Sequence, residues 1–379
     1  MHPDRILIGS TRTAEGIKAA ETLKGVYAAW IPAARILTIN TWSSELTKLV
    51  ANAMLAQRIS SINAVSALCE ELGADVQELS LGLGADSRLG ARFLHAGVGF
   101  GGSCFEKDIL NLSYMARSLH LSEVADYWMG VLDINKYQRQ RFGRKVVRAL
   151  NGSLRGKKVA VLGFAFKENT NDTRNSVAVH FIAELAAEMP AEISVFDPGC
   201  SIAGIEEEIR KIGLNSIQMS RIKVREHWKE TVEGANAVCI MTQWNHFRYP
   251  YVATAKAAKT KVAAQSKSLG ATENLDWFFK NKLSDMDIIE LEKYVTRDLD
   301  NAGEDPLNRL IPETECPAGC TDCRAKRVGM DDGETVDWAE VATLMREPKW
   351  VFDGRNVVDG PELEKLGFRV RGVGKGLTS

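Results

Sequence analysis

The sequence predicts an α/β protein in three segments, on three observations. Short apolar runs of strand length, "RILIG" and "ARILTIN", bracket a stretch with helical spacing at the N-terminus. No Gly or Pro then occurs from Trp42 to Leu72, where one long helix is expected. From "LRGKKVAVLGFAF" onward, compact apolar runs alternate with helical stretches, the pattern of a parallel sheet.

In chain order, residues 5–9 read as a strand, 13–30 as a helix and 34–40 as a second strand. A parallel sheet normally has more strands before such a fragment, so residues 1–41 read as the remnant of a larger domain. Apolar residues then recur at Leu46, Leu49, Val50, Ala53, Leu55, Ala56, Ile59, Ile62 and Val65, with Thr41 or Ser43 as the cap and Gly73 as the stop. A helix of this length bridges two domains or forms an oligomer core. "DVQELSLGLGADSRLGARFL" predicts two shorter helices, and "EKDILNLSYMARSLH" and the run from Ser122 to Leu150 predict two more, giving a helical region over 42–150. Beyond it, "KVAVLG", the helix "SVAVHFIAELAAEM" and "AEISVFD" open an α/β domain over 151–379, continued by "ANAVCIMTQ", "PKWVFDGR" and "FRVRGVG". Its ligands are expected beyond the carboxyl ends of the strands. Residues from 249 to about 335 are polar and rich in turn formers, and read as a long, partly disordered surface insertion.

The totals exclude some classes. A chain of 379 residues has room for two or three domains. Its 48 Lys and Arg against 49 Asp and Glu leave a net charge of -1, so nucleic acid is not expected as a partner. Seven cysteines, unevenly spaced, do not make a disulfide framework and point to a reducing compartment. No run reaches the roughly 18 apolar residues of a membrane helix, and the expectation is a cytoplasmic protein with no membrane partner.

Four features carry chemistry. "GFGGSCFEKD" sets Cys104 in a glycine-rich loop with Lys107 and Asp108 just after it. Such a loop lets backbone N–H groups approach a ligand, and an ammonium nearby favours the nucleophilic thiolate, although a small residue packed in a tight loop gives the same pattern. Lys48 and Asn52 share a face of the long helix, where they can donate to a developing oxyanion or simply be solvated. "GFAFKENTNDTR" follows the first strand of the C-terminal domain but keeps only Gly163 of a dinucleotide fingerprint. There Lys167 and Arg174 can reach phosphates, and Phe164 or Phe166 can stack on a base. "CPAGCTDC" offers three thiolates, one short of a closed four-cysteine zinc site, and no metal is assigned.

Four separated blocks, "NTWSSELTKLVANAMLAQRISSINAVSALCE", "VGFGGSCFEKDILNL", "VLGFAFKENTNDTRNS" and "VFDGRNVVDG", closely resemble the eukaryotic-type UDP-glucose 6-dehydrogenases of the UDP-glucose/GDP-mannose dehydrogenase family. The resemblance covers residues 3 to about 248 and 336 to 376. It implies a partial N-terminal Rossmann-like domain, a central helical dimerisation region and a C-terminal Rossmann-like UDP-binding domain. It also implies oxidation of UDP-glucose to UDP-glucuronate with two NAD+, through a cysteine thiohemiacetal and thioester. Cys104 matches the nucleophile, Lys48 and Asn52 the oxyanion stabilisers, and Asp108 the carboxylate that organises water and assists proton transfer. Arg88 matches an arginine reaching from a neighbouring subunit, so a homo-oligomer, dimer or hexamer, is implied. The stretch from Phe93 to Gly101, with Leu94, His95 and Phe100, matches the segment that wraps the substrate, with His95 standing where animal sequences tend to have lysine. Phe166, Lys167 and Arg355 match further substrate contacts, and Cys104, Lys107 and Arg174 match positions facing the cofactor NAD.

Two departures accompany the resemblance. The segment between His246 and Trp338 replaces a much shorter connection and holds the whole cysteine cluster. The complete NAD-binding domain with which the family begins, with its GxGxxG and a glutamate, is expected to be missing, so that the chain alone turns over poorly. Two alternatives stand beside this reading: a noncatalytic sugar-nucleotide-binding or oligomerisation subunit, and a dehydrogenase for GDP-mannose or a UDP-N-acetylhexosamine.

Overall fold

A computed structural model describes residues 3–249 and 335–376. The expected insertion and its cysteine cluster lie outside the described residues, apart from the ends of the insertion. The described chain belongs to two compact units, one holding residues 3–41 and the other residues 42–249 and 335–376.

In the first unit, β1 (Ile6–Ser10) and β2 (Ile36–Asn40) pair in parallel, Ile6 opposite Ile36, across the crossover helix α1 (Ala14–Tyr27). Thr13 caps α1 by accepting from the Gly16 N–H at 3.1 Å. Ile8, Ala20, Ile31 and Ile36 form a small core. Leu37 on β2 and Ile17, Leu23 and Val26 on α1 remain exposed.

From Trp42 on, the second unit takes in α2 (Thr41–Leu72), an uninterrupted helix of 32 residues. The helix starts at Thr41 itself, so Thr41 and Ser43 lie in its first turn and neither is the expected cap. Gly73, at φ 76°, ends it with the Ala74 N–H donating to the Cys69 carbonyl at 2.9 Å, a left-handed stop that suits glycine. Only one of the two expected short helices forms, α3 (Val76–Gly84), capped by Asp75. From Ala85 to Gly102 the chain runs through turns and loop, because glycines at 90, 97, 99, 101 and 102 favour no regular element. α4 (Ser103–Ser118) and α5 (Ser122–Ala149) then form a hairpin. Small residues on α2, Ala53 and Ala56, pack against Ile109 and Leu112 of α4 and Val131 of α5.

The remainder is a six-stranded, all-parallel sheet in the order β5-β4-β3-β6-β7-β8. Its strands are β3 (Lys158–Leu162), β4 (Glu192–Phe196), β5 (Ile222–Val224), β6 (Ala237–Ile240), β7 (Trp350–Asp353) and β8 (Arg369–Gly372). The three-residue β5 gives too short an apolar run to read from sequence. Alternation along β3 divides the core: Val159 and Val161 face α6 (Val177–Ala187) and α7 (Ile202–Lys211), while Ala160 and Leu162 face α9 (Trp228–Val232), α10 (Trp338–Leu344) and α11 (Gly360–Lys365). A short helix α8 (Ser216–Ser220) precedes β5. Ile62 of α2 and Val146 of α5 join the first of these clusters, so the helical region and the sheet share one core. Strand order reverses between β3 and β6, and ligands of such sheets bind where the carboxyl ends diverge. Among the described residues, no helix is long and apolar enough to cross a membrane.

Glu70 ties the helical region to the chain beyond β8. Its carboxylate accepts from Lys145 Nζ at 2.7 Å, the Gly374 N–H at 2.8 Å and an Arg141 guanidinium N–H at 2.5 Å. Burial holds the Lys145 ammonium below its usual pKa, and the Glu70 charge opposes that shift. Removing the carboxylate strands two largely buried cations. Glu70→Ala should therefore lose about 3 kcal/mol of stability, read as a lower urea midpoint for the second unit; an unchanged midpoint would contradict this role.

Candidate functional site

The loop after β3 lies at the switch point of the sheet. Gly163 is held at φ 95°, and a Cβ there would come within 2.6 Å of the Thr242 backbone that follows β6. The two loops therefore meet closely, which explains a single glycine where a dinucleotide fingerprint would have three. Asp197, just past β4, accepts from the N–H groups of Phe164 (2.6 Å), Ala165 (2.8 Å) and Gly199 (2.8 Å) and from Trp244 Nε1 (3.0 Å). In a dinucleotide fold an acidic residue in this region takes a ribose hydroxyl; here it closes its own loop. Phe164 is fully buried, which corrects the expectation that it is free to stack on a base. Phe166 is half-buried with the Lys167 ammonium 5.4 Å from its ring centre, and Arg174 is exposed and paired with Asp172 at 2.7 Å.

The segment before α4 lies along these loops and is held largely by side chains. The Gly97 N–H donates to Asn63 Oδ1 of α2 at 2.9 Å, and the Gly97 carbonyl accepts from Gln138 Nε2 of α5 at 2.7 Å. The Val98 N–H donates to the Gly354 carbonyl at 2.9 Å. Arg355, after β7, donates to the carbonyls of Gly99 (2.9 Å) and Met241 (2.7 Å). Desolvation brings its guanidinium down to about 10, opposed by Asp353, so it stays charged at neutral pH. Gly97, Gly99 and Gly102 do spell G-x-G-x-x-G, contrary to the expectation that the pattern is missing from the chain. No strand precedes them, and their faces are filled by Arg355, Asn135 and Phe166 rather than open to a pyrophosphate.

Gly102 leads into α4, so exposed Cys104 sits in the first helical turn, where backbone N–H groups lack intrahelical partners. One turn on is Asp108, whose side chain is 1% exposed. Its Oδ2 accepts from Lys48 Nζ at 2.7 Å and Asn52 Nδ2 at 2.6 Å. The two elements singled out separately in the sequence, the Lys48–Asn52 helix face and the Cys104 loop, are thus brought together. Burial alone would raise the Asp108 carboxyl, but hydrogen bonds from Lys48 and Asn52 and the Lys48 and Lys107 charges hold it below the usual carboxylate range. Asp108 Oδ1 is buried and has no hydrogen-bond partner among the described residues, so the carboxylate keeps one acceptor unused. Lys48 remains 60% exposed and, like Asn52, has further N–H donors beyond the one given to Asp108. Lys107 lines an open groove of about 440 Å³ with Ser103, Glu106 and Asn175.

The other expected site residues spread along the segment. Phe93 takes φ 63° and is exposed, as is His95; Leu94 is buried, with its carbonyl accepting from the Ser80 hydroxyl at 2.7 Å. Phe100 and Phe105 meet edge to face at 5.5 Å, and a Cβ on Gly101 would fall 2.6 Å from the Asn175 carbonyl. Arg88 is exposed and paired with Asp86 at 2.6 Å. Sequence reasoning missed Asn63, Gln138, Asp197 and Asn175. Asn63 carried a signal, since Ser60, Asn63 and Ser66 are polar residues at the core spacing of α2, and all three are buried.

Sequence profiles describe two successive parts of one family: its central domain matches residues 42–137 and its UDP binding domain residues 160–269. UDP-glucose 6-dehydrogenase of Caenorhabditis elegans is 47% identical over 246 residues, 65% of this chain and 51% of that protein. UDP-glucose 6-dehydrogenase 1 of Oryza sativa subsp. japonica is 37% identical over 386 residues, 99% of this chain and 62% of that protein. Among solved structures, a UDP-glucose dehydrogenase from Pyrobaculum islandicum aligns with TM-score 0.55 and 33% identity, covering 64% of this chain and 52% of that one. A UDP-D-ManNAc dehydrogenase from Pyrococcus horikoshii, at TM-score 0.56 and 20% identity over 94% of this chain and 58% of that one, shares the fold. The chain spans about half the length of several curated relatives it matches. With both profiles laid in order over more than half of its residues, and with the rice enzyme aligned along nearly all of them, the chain belongs to the UDP-glucose/GDP-mannose dehydrogenase family.

Proposed function

We propose that this chain carries the nucleotide-sugar site of a UDP-glucose 6-dehydrogenase, and that Cys104 is its nucleophile in the conversion of UDP-glucose to UDP-glucuronate. The observation that supports this most strongly is the convergence of Lys48 and Asn52 on buried Asp108, one helical turn from Cys104. The UDP moiety takes the switch-point loops, with Phe166 and Lys167 from one and Arg355 from another, and the segment from Phe93 to Gly101 covers the sugar. Arg88 reaches the same nucleotide sugar in a neighbouring subunit of a homo-oligomer.

The reaction assigned to these residues starts from the C6 aldehyde. The Cys104 sulfur adds its electron pair to the carbonyl carbon, and the carbonyl oxygen becomes an alkoxide stabilised by spare N–H donors of Lys48 and Asn52. After oxidation of this adduct to the thioester, a water oriented by the Asp108 carboxylate adds its oxygen to the acyl carbon and releases its protons to solvent. The carbon–sulfur bond breaks, the thiolate leaves, and the carboxylate of UDP-glucuronate is formed.

NAD+ is the oxidant of this family reaction. The described residues do not form a cradle for a whole dinucleotide. The β1–α1 turn, "TRT", has no glycine, Asp197 is committed to its own loop, and Lys107 and Arg174 offer cations alone. The residues described here therefore account for capture and hydrolysis, and not for the two oxidations.

The reading is tested by titrating UDP-glucose into the chain and by supplying the UDP-sugar C6 aldehyde and following its covalent capture. Cys104→Ser should leave UDP-glucose affinity within about threefold while capture of the aldehyde falls by about a thousandfold or more; undiminished capture would remove the covalent mechanism. Lys48→Ala should slow capture by about a hundredfold, with affinity for the aldehyde little changed, since its donors act on the alkoxide. Asp108 also sets a pH response. Folding lowers its pKa, so its ionised form adds stability above the ordinary aspartate value of about 4, and this is lost as pH falls through the lower folded-state value. Acid unfolding of Asp108→Asn should lack that share of the decline; an acid limb of unchanged slope would contradict the assignment.

A further inference from the structure

Between Leu94 and Gly102 the backbone forms no helix or strand, yet Phe100 has both its peptide groups paired to a single side chain. The Phe100 N–H donates to Asn135 Oδ1 at 2.9 Å, and Asn135 Nδ2 donates to the Phe100 carbonyl at 2.9 Å. This is the double exchange that a residue in an antiparallel ladder makes with its opposite number, here supplied by a carboxamide on α5.

The neighbouring positions are shaped to the same contact. Gly99 takes φ 107°, and a Cβ there would fall 2.5 Å from Asn135 Oδ1. On the other side, a Cβ on Gly101 would meet the Asn175 carbonyl at 2.6 Å and one on Gly102 the Phe166 ring at 2.9 Å. The loop is therefore wedged between Asn135 and the segment after β3, with glycines where either wall is closest. Two residues past Gly102 stands Cys104.

We propose that Asn135 is a positioning residue: its carboxamide fixes the Phe100 peptide groups and thereby sets where α4 begins and where Cys104 is presented. The proposal deepens the reading of Cys104 as nucleophile and rests on it for its functional meaning. It adds a residue of α5 whose carboxamide hydrogen-bonds to the Phe100 peptide groups.

The test is hydrogen–deuterium exchange of the full chain, followed by mass spectrometry, with iodoacetamide alkylation of Cys104 measured on the same samples. Asn135→Ala is expected to speed exchange across residues 97–104 by tenfold or more, with the sheet and the rest of α5 unchanged. It is expected to change Cys104 alkylation by fivefold or more, because a loosened first turn no longer presents the exposed thiol in one fixed position. Asn135→Asp keeps the acceptor but loses the donor, and should fall between. Gly99→Ala should reproduce the loss by displacing the carboxamide, and should add little when combined with Asn135→Ala.

Wild-type exchange and alkylation in Asn135→Ala would overturn the proposal. Faster exchange throughout α5 and the sheet would overturn it too, as the mark of a general prop for the fold. Adding UDP-glucose separates this from the parent reading. If it fails to slow exchange over 93–102 in the wild-type chain, the nucleotide-sugar assignment fails, while the Asn135 comparison, made without ligand, still reads on its own.

Discussion

The site depends on one buried charge. Asp108 has almost no contact with solvent, yet it carries a carboxylate whose Oδ2 takes donors from Lys48 and Asn52 of another helix. A charge in such a place persists only when it is paired and hydrogen-bonded. Its partners lie 60 and 56 residues earlier in the chain, so the arrangement requires α2 and α4 to approach closely. Ala53 and Ala56, both fully buried, make that approach possible. Since Asp108 lies one turn from Cys104, whatever fixes the carboxylate also fixes the face of α4 that presents the thiol.

A second constraint comes from the sheet. Its order brings three loops to the carboxyl ends of β3, β6 and β7, and Arg355 joins two of them to the segment before α4 through the Met241 and Gly99 carbonyls. Asp197 consumes the N–H groups that a nucleotide phosphate would otherwise meet after β3. The domain keeps the wound topology of a dinucleotide fold but has lost the open glycine turn. This suits a ligand held by the side chains of Phe166, Lys167 and Arg355, as in the reading proposed above.

Much of this was legible in the sequence, for identifiable reasons. The absence of Gly and Pro over Trp42–Leu72 marked α2, and five of the six strands of the large sheet stood out as compact apolar runs. Spacing placed Lys48 with Asn52 on one helix face, but only tertiary packing brings that face to Asp108. The second short helix expected near residue 90 did not form because Gly90 and the glycines beyond it favour loop. The G-x-G-x-x-G of residues 97–102 shows how far letters can stand from meaning, since a fingerprint requires a preceding strand and an open groove, and this one has neither. The amides that grip the loop, Asn63 and Gln138, gave weak signals because single polar residues on long helices are usually solvated.

The proposed role of Cys104 stands or falls on a covalent bond to the oxidised sugar carbon. That bond is seen most directly in a carbon-13 spectrum of the chain with the UDP-sugar C6 aldehyde, labelled at that carbon and supplied without NAD+. A protein-bound thiohemiacetal resonance is expected in the wild-type chain and is expected to be lost in Cys104→Ser. Tight binding with the labelled carbon left as free aldehyde or hydrate, identical in both proteins, would contradict it.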